Sequence, residues 1–221
     1  MNEFINIFSS SEPAAISTSV RLLILLTVLS LAPSILILMT SFTRIIVVLG
    51  FVRTSLATQQ MPPNQVLIGL ALFLTFFIMA PTFSTVYDEA LQPLFSEEIT
   101  LDEAYDRASE PFKNFMAKHT RQKDLALFMN YRDMERPESI ADIPLTTLIP
   151  AFAISELKTA FQMGFMIFIP FLVIDMAVAS VLMSMGMMML PPVMISLSFK
   201  ILLFVLVDGW YLITHSILEG F

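Results

Sequence analysis

The chain has 221 residues, of which 56% are hydrophobic and only 14% are charged, and its mean hydropathy is +0.77. Typical soluble domains carry about 25% charged residues, so this composition indicates that the bilayer is the solvent. The lack of cysteine excludes disulfides and thiolate chemistry, and a net charge of −7 argues against a nucleic-acid partner.

The charges are concentrated in the middle of the chain. Residues 82–143 hold 13 acidic and 7 basic side chains, whereas the two flanking parts are apolar and nearly neutral. We therefore predict three segments: residues 1–83 with a first helical hairpin, an acidic helical insert at 84–147, and a C-terminal hairpin at 148–221. The expected fold class is an all-α integral membrane protein built from proline-broken hairpins.

In chain order, the first apolar run covers residues 20–39 and is long enough to cross about 30 Å of hydrocarbon as a helix. No small-residue cleavage motif follows it, so we interpret it as a retained helix and not as a signal peptide. A second apolar stretch at 44–53 is followed by Pro62-Pro63, a firm helix stop. The next span is expected at 65–83.

Within the insert, residues 101–131 place apolar side chains at helical spacing among charges, which predicts one amphipathic helix. A third apolar segment follows at 150–185, and a fourth at 201–218. Between them, Pro191-Pro192 repeat the double-proline break of the first half, so each half is expected to form a hairpin.

Basic residues set the expected orientation, because they tend to stay on the cytoplasmic side of a membrane. Arg44 and Arg53 flank the first turn, and Lys200 flanks the second. Both turns are therefore expected in the cytoplasm, with the insert and both termini in the periplasm. Arg44 and Arg53 lie on opposite faces of an unbroken helix; they could bind lipid phosphates, bind a partner acid, or only set the topology.

Five charged residues interrupt the apolar C-terminal half, where an unpaired charge at the bilayer centre costs about 2.5–3.5 kcal/mol. Each is therefore expected to have a partner or to face water. We interpret their positions as lying near helix ends and breaks, which favours a structural role over a transport pathway. They are Glu156, Lys158, Asp175, Lys200 and Asp208.

The most unusual local feature is a cluster of five methionines between positions 183 and 189. Methionine is unbranched and adapts to varied surfaces. The residues alone indicate a flexible apolar loop at a helix break, and they leave open a seal, a lipid-facing surface or a core role. The triplet is Met187, Met188 and Met189; the expected hinge residues around it are Gly186, Pro191 and Pro192.

Several longer stretches resemble the FliP family of flagellar type III export-gate proteins and their injectisome relatives. They include MTSFTRIIVVLGFVR at 39–53, PPNQVLIGLALFLTFFIM at 62–79, SELKTAFQ at 155–162, SVLMSMGMMM at 180–189 and VLVDGW at 205–210. The resemblance covers about residues 20–83 and 148–221, and matches of this length are far more specific than a short motif.

The resemblance implies a core subunit of the flagellar export gate in the bacterial inner membrane, within the flagellar basal body. Several copies, a pentamer, would join FliQ- and FliR-like membrane subunits and other export-apparatus proteins into a ring or cone, surrounded by membrane lipid. This channel would pass unfolded flagellar substrates. By resemblance, Met187–Met189 form its gasket, and Glu156 and Lys200 form a salt bridge between neighbouring copies.

Two other function classes fit part of the sequence. Buried acids and proline-broken helices also occur in small-solute or proton-coupled transporters. Asp175 and Asp208 raise the idea of an intramembrane aspartyl enzyme, but the glycine-flanked pattern of such enzymes is missing around Asp175. No metalloprotease, phosphate-loop or hydrolase motif stands in the chain. We therefore expect no catalytic, metal or cofactor-binding residues and no cofactor.

Overall fold

The structure, a computed structural model, describes residues 20–221 except 21, 24, 25, 28, 32, 33, 36, 59, 135, 136, 138 and 188–190. The chain divides into two units, Met1–Leu38 and Met39–Phe221. In the first unit, the described residues from 20 to 38 are helical. Within it, Thr27 Oγ1 donates to the Leu23 carbonyl at 2.8 Å and Ser30 Oγ to the Thr27 carbonyl at 2.9 Å.

The described part of the second unit contains eight α-helices and no strand, which confirms the all-helical prediction. A π-helical turn at Tyr87–Leu91 joins the helix Asn64–Val86 to the helix Gln92–Phe95. The helices are α1 Phe42–Ser55, α2 Asn64–Val86, α3 Gln92–Phe95, α4 Leu101–His119, α5 Gln122–Tyr131, α6 Leu145–Ser184, α7 Pro192–Leu206 and α8 Gly209–Glu219.

Two helical segments of the described chain are long and apolar enough to cross a membrane. They are Asn64–Phe95, with 32 residues, and α6, with 40 residues, and an 18-residue window in each has a mean hydropathy of 2.3 and 2.4, respectively. Helices α7 and α8 pass the same test together but are bent by 64°. The described residues therefore hold two candidate spans, or three if this bent pair counts as one.

Helix α1 lies at the centre of the larger core. Its buried side chains recur every three or four residues and include Ile45, Val48, Leu49 and Val52, which is the stripe expected of a helix packed against neighbours. It packs against α2 and α6. The partners in this core are Leu67 and Ala71 of α2, Ala160 and Phe171 of α6, Phe204 of α7, and Ile213 and Ile217 of α8.

The insert begins with a capping box. The Thr100 hydroxyl accepts a hydrogen bond from the Glu103 N–H, and the Glu103 carboxylate accepts one from the Thr100 N–H; together they satisfy two free donors at the start of α4. A second core, which includes Met116 of α4 and Phe152 of α6, anchors the insert on the first half of α6.

The predicted single helix at 101–131 is wrong, because it is divided at Thr120–Arg121 into α4 and α5. A tertiary contact offsets the broken backbone bonds. The Arg121 N–H donates to Ser155 Oγ on α6 at 3.1 Å, and Ser155 Oγ donates to Asp124 Oδ2 at 2.8 Å. Ser155 is fully buried, so α6 fixes the position of the break.

The C-terminal half also differs from the prediction. Helix α6 starts at Leu145 and continues through Pro150 and Pro170. The apolar run predicted at 201–218 is divided between α7 and α8, where Asp208 adopts a left-handed conformation with φ of 51°. This conformation cannot continue a right-handed helix, which accounts for the bend.

Candidate functional site

The first buried ion pair joins α1 to α6. The guanidinium of Arg44 forms two parallel hydrogen bonds with the carboxylate of Glu156, one of them from Nε to Oε2 at 2.8 Å and the other from Nη2 to Oε1. The two side chains are 4% and 0% exposed. Two-point pairing of this kind offsets the cost of removing both charges from water.

The end of the chain closes over this pair. Arg44 Nη1 donates to the Gly220 carbonyl at 2.7 Å, and the Arg44 guanidinium carbon lies 3.8 Å from the centre of the Phe221 ring. Lys118 Nζ of α4 donates to Phe221 O at 2.9 Å. Arg44 therefore links α1, α6 and the segment that follows α8. Lys118 connects the insert to the same segment.

His119 stands beside this junction as a neutral group. Its ring lies 5.1 Å from the Phe221 ring and 5.0 Å from the Phe115 ring. The pKa of His119 is lowered to about 4, mainly by burial and additionally by the positive charges of Arg44 and Lys118.

The second ion pair joins α6 to α7. Lys200 Nζ donates to Asp175 Oδ2 at 2.6 Å, and Ser196 Oγ donates to Asp175 Oδ1 at 2.6 Å. The Lys200 side chain is 3% exposed and that of Asp175 is 25% exposed. Ser196 and Lys200 are four residues apart on one face of α7, so a single aspartate holds the two arms of the C-terminal hairpin together.

The methionine-rich turn follows α6 directly. The Gly186 N–H donates to the Met183 carbonyl and the Met187 N–H to the Leu182 carbonyl, both at 3.0 Å. This is the Schellman pattern, which needs a left-handed residue, and Gly186 supplies it with φ of +75°. Met187 is 39% exposed; Met188 and Met189 lie outside the described residues.

The proline residues after the turn lie where the sequence predicts the helix break between α6 and α7, and their role as a hinge stays a prediction. Pro191 precedes α7 and Pro192 is its first residue, a position where the missing N–H of proline costs nothing. The turn is thus bounded by a glycine that ends one helix and a proline that starts the next.

The predicted charge positions need a correction. Glu156 and Asp175 lie inside α6 and Lys200 lies inside α7, not near helix ends. Lys200 is therefore not in the turn between these helices. It no longer supports the predicted membrane orientation, which rested on Arg44, Arg53 and Lys200. Oppositely charged side chains on neighbouring helices neutralise these three residues. The charged groups therefore do not need to lie at the ends of their helices.

The expected partners also differ within the chain. Glu156 pairs with Arg44, and Lys200 pairs with Asp175. Because only one copy is described, a Glu156–Lys200 contact between copies stays a prediction. Of the three alternatives for Arg44, the structure shows a partner acid. Arg53 is half-buried and its Nη1 donates to Asn64 Oδ1 at 2.5 Å.

Sequence reasoning missed both pairings. Arg44 and Glu156 are 112 residues apart, and nothing local links them. The pattern at Ser196 and Lys200 was the available signal, since two polar side chains four residues apart in an apolar helix point to one buried acceptor.

Taken together, these features define a class: an all-helical membrane protein whose long apolar helices are joined by buried ion pairs and interrupted by a methionine-rich turn. The model of the FliP family matches residues 25–217, most of the chain. The chain belongs to the FliP family, and the resemblance predicted from its sequence is confirmed.

Three relatives named as flagellar biosynthetic protein FliP support this over 91–100% of the chain. The flagellar biosynthetic protein FliP of Bacillus subtilis (strain 168) is 78% identical over 221 residues, covering 100% of both chains. That of Caulobacter vibrioides is 57% identical, covering 91% of this chain and 76% of the relative. That of Borreliella burgdorferi is 50% identical, covering 99% and 87%.

Proposed function

We propose that this protein is a core subunit of the flagellar type III export gate, a membrane channel for unfolded flagellar proteins. The observation that carries the proposal is 78% identity over the whole chain to a protein named for flagellar biosynthesis. The candidate membrane spans fit a place in the bacterial inner membrane, in the flagellar basal body. The acidic insert and both termini are assigned to the periplasm.

In this proposal several copies, a pentamer, assemble with FliQ- and FliR-like membrane subunits and other export-apparatus proteins. The apolar faces of the long helices support an assembly, because lipid or other subunits must cover them. On α2, Phe73 and Phe77 are 77% and 70% exposed; on α6, Phe165 and Met166 are 63% and 68% exposed.

The gate itself is assigned to the methionine triplet, Met187–Met189. The turn is held by backbone bonds at Gly186 and exposes Met187. A ring of such turns would form an apolar constriction, which blocks ions by excluding water and yields to a passing chain. Gly186, Pro191 and Pro192 would act as the hinge.

The test replaces the triplet by alanine and measures ion leak across the membrane together with export. We expect a raised ion leak, because smaller side chains leave a wetter constriction. The matched control replaces three exposed methionines outside the turn, Met166, Met176 and Met194, which are 67–68% exposed. An unchanged leak with normal export in the triplet variant would contradict the gate assignment.

A second test concerns the joint between copies. If Glu156 and Lys200 pair across copies, the double charge swap Glu156→Lys with Lys200→Glu restores assembly lost in either single variant. If the pairs within the chain dominate instead, rescue comes from swapping Arg44 with Glu156, or Asp175 with Lys200. A swap of Glu156 with Lys200 that is no better than either single variant refutes the joint.

A proton-coupled or small-solute transporter remains the second candidate function. The observation in its favour is that Asp175 lies within a candidate span and is 25% exposed, as transport pathways require. The export gate requires several copies, so a purified membrane complex with a single copy of this chain would favour the transporter.

A further inference from the structure

A small apolar groove lies at the junction of α1, α2, α7 and α8. It has a volume of about 340 Å³ and is open to the surroundings. Its walls are almost entirely apolar, and Leu56 and Phe204 at its base are buried. The side chains around it include Leu56, Met61, Val66, Phe204, Val205 and Trp210.

The groove stands at the start of a candidate membrane span. Pro62 and Pro63 form one wall, and α2 begins at the next residue. On the opposite side, Trp210 is 38% exposed and packs edge-on against Phe204, with ring centres 5.3 Å apart. Tryptophan is enriched at the boundary between the hydrocarbon core and the lipid headgroups. We therefore place the first residues of α2 at this boundary.

A cation lies at the edge of the groove. Arg53 Nη1 is 3.5 Å from the carbonyl oxygen of Pro62, a groove residue, and also donates to Asn64 Oδ1. Among the described residues, no acceptor engages Arg53 Nε or Nη2, and no carboxylate pairs with it. The first turn of α2 holds no acidic residue either.

We propose that this groove is a binding site for an anionic phospholipid. An acyl chain fills the apolar groove against Trp210, and the phosphate binds the free edge of the Arg53 guanidinium, whose fork suits two phosphate oxygens. The charge of Arg53 favours an anionic lipid over an apolar helix of another protein, because such a helix would fill the groove but leave Arg53 without an anion. The proposal depends on residence in the membrane and not on the export gate.

The sequence contains a single tryptophan, Trp210, which serves as the probe. The full chain is placed in phosphatidylcholine nanodiscs that contain increasing fractions of acyl-brominated phosphatidylglycerol or acyl-brominated phosphatidylcholine. Bromine quenches tryptophan on contact. We expect the anionic lipid to quench Trp210 at about a five-fold lower mole fraction, the size of one cation's effect at an anionic membrane surface.

Variants separate the site from general lipid contact. Arg53→Gln is expected to abolish the headgroup preference, whereas Arg53→Lys keeps part of it because the charge remains. Lys123→Gln, which removes an exposed cation from α5, is the matched control and keeps the full preference. Equal quenching by both lipids, quenching by neither, or the same behaviour of Arg53→Lys and Arg53→Gln would overturn the proposal.

Discussion

Lys200 has an ammonium group that is almost completely removed from solvent, and Asp175 neutralises it. Loss of one partner leaves an uncompensated buried charge, which costs more than the pair itself contributes. This asymmetry separates a buried pair from an ordinary surface salt bridge, whose loss costs about 1 kcal/mol or less.

We therefore expect Lys200→Met to lower the free energy of unfolding by about 1–3 kcal/mol, because it leaves the partly buried carboxylate of Asp175 with Ser196 as its remaining partner. The double variant Lys200→Met with Asp175→Asn should recover part of this loss, since it removes the orphaned charge. Unfolding in mixed micelles by denaturing detergent measures both. The matched control is Lys158→Met on α6, where the lysine is exposed; equal losses in the two single variants would contradict the buried pair.

The pH dependence of stability is expected to depend on His119. Its pKa in the folded chain is about 4, below the ordinary value of 6.5, so the unfolded chain binds a proton first as the pH falls. Stability contributed by neutral His119 is therefore present above about pH 6.5 and is lost as the pH falls towards about 4.

The measurement compares the free energy of unfolding at about pH 7 and about pH 5 in the wild type and in His119→Gln. We expect a smaller difference between the two pH values in the variant. The hydrogen bonds from Thr100 lower the pKa of the Glu103 carboxylate, which moves its titration away from this window. An identical pH dependence in both proteins would rule out His119 as the source.

At the scale of elements, the closeness of α1 and α6 depends on Gly164. A Cβ atom there would collide with the ring of Phe51 and lie 2.9 Å from Phe51 Cβ. That atom belongs to the base of the side chain, so the clash cannot be relieved by a rotation of the ring alone. The same approach lets Phe51 pack edge-on against Phe161 at 5.2 Å.

Gly164→Ala is therefore expected to destabilise the chain by about 1–3 kcal/mol through overpacking. Gly69→Ala in α2 is the matched control, because nothing lies within 4 Å of its added Cβ. In that helix interior alanine is expected to stabilise by up to about 1 kcal/mol. Opposite signs in the unfolding free energy of the purified chain confirm the argument, and equal effects contradict it.

A second prediction at the scale of elements concerns the cap at the start of α4. Thr100→Ala removes the side-chain acceptor of the α4 capping box and is expected to cost about 1 kcal/mol. Thr100→Ser keeps a hydroxyl and should cost little. Amide hydrogen exchange in the first turn of α4 reports the change locally, and equal exchange in the two variants would show that the cap contributes nothing.

At the scale of the whole molecule, the chain exposes more apolar surface than a lone soluble protein would. The exposed aromatic side chains on α2 and α6 extend along both candidate spans. Neighbouring copies and lipid are the available partners for such faces, and the buried ion pairs keep the helices that carry them in a fixed arrangement.

We expect the complex extracted from its native membrane to contain several copies of this chain together with two kinds of small membrane subunit. Native mass measurement gives the copy number directly. A particle with the mass of one chain would contradict the export gate and favour the transporter. Copies of this chain without smaller subunits would refute the proposed FliQ- and FliR-like partners.

The amino-acid sequence by itself determined the class of protein. Composition places the chain in the membrane because too few polar side chains exist to cover a soluble surface of this size. Local chemistry placed the breaks at Pro62-Pro63, Gly186 and Pro191-Pro192, since backbone restriction acts on a residue and its neighbours alone. The long matches at 39–53 and 155–162 identified the family.

The tertiary structure decided which charges meet. Arg44 and Glu156 lie 112 residues apart, and Asp175 and Lys200 lie 25 apart, so their pairing depends on how separate helices pack. The same holds for the helix break at Thr120–Arg121, where the Arg121 N–H donates to the hydroxyl of Ser155 on another helix. Hydrogen-bond and ion-pair partners distant in sequence become neighbours only after the helices are in place. Local pattern does not identify the partner, even where, as at Ser196 and Lys200, it indicates that a buried acceptor exists.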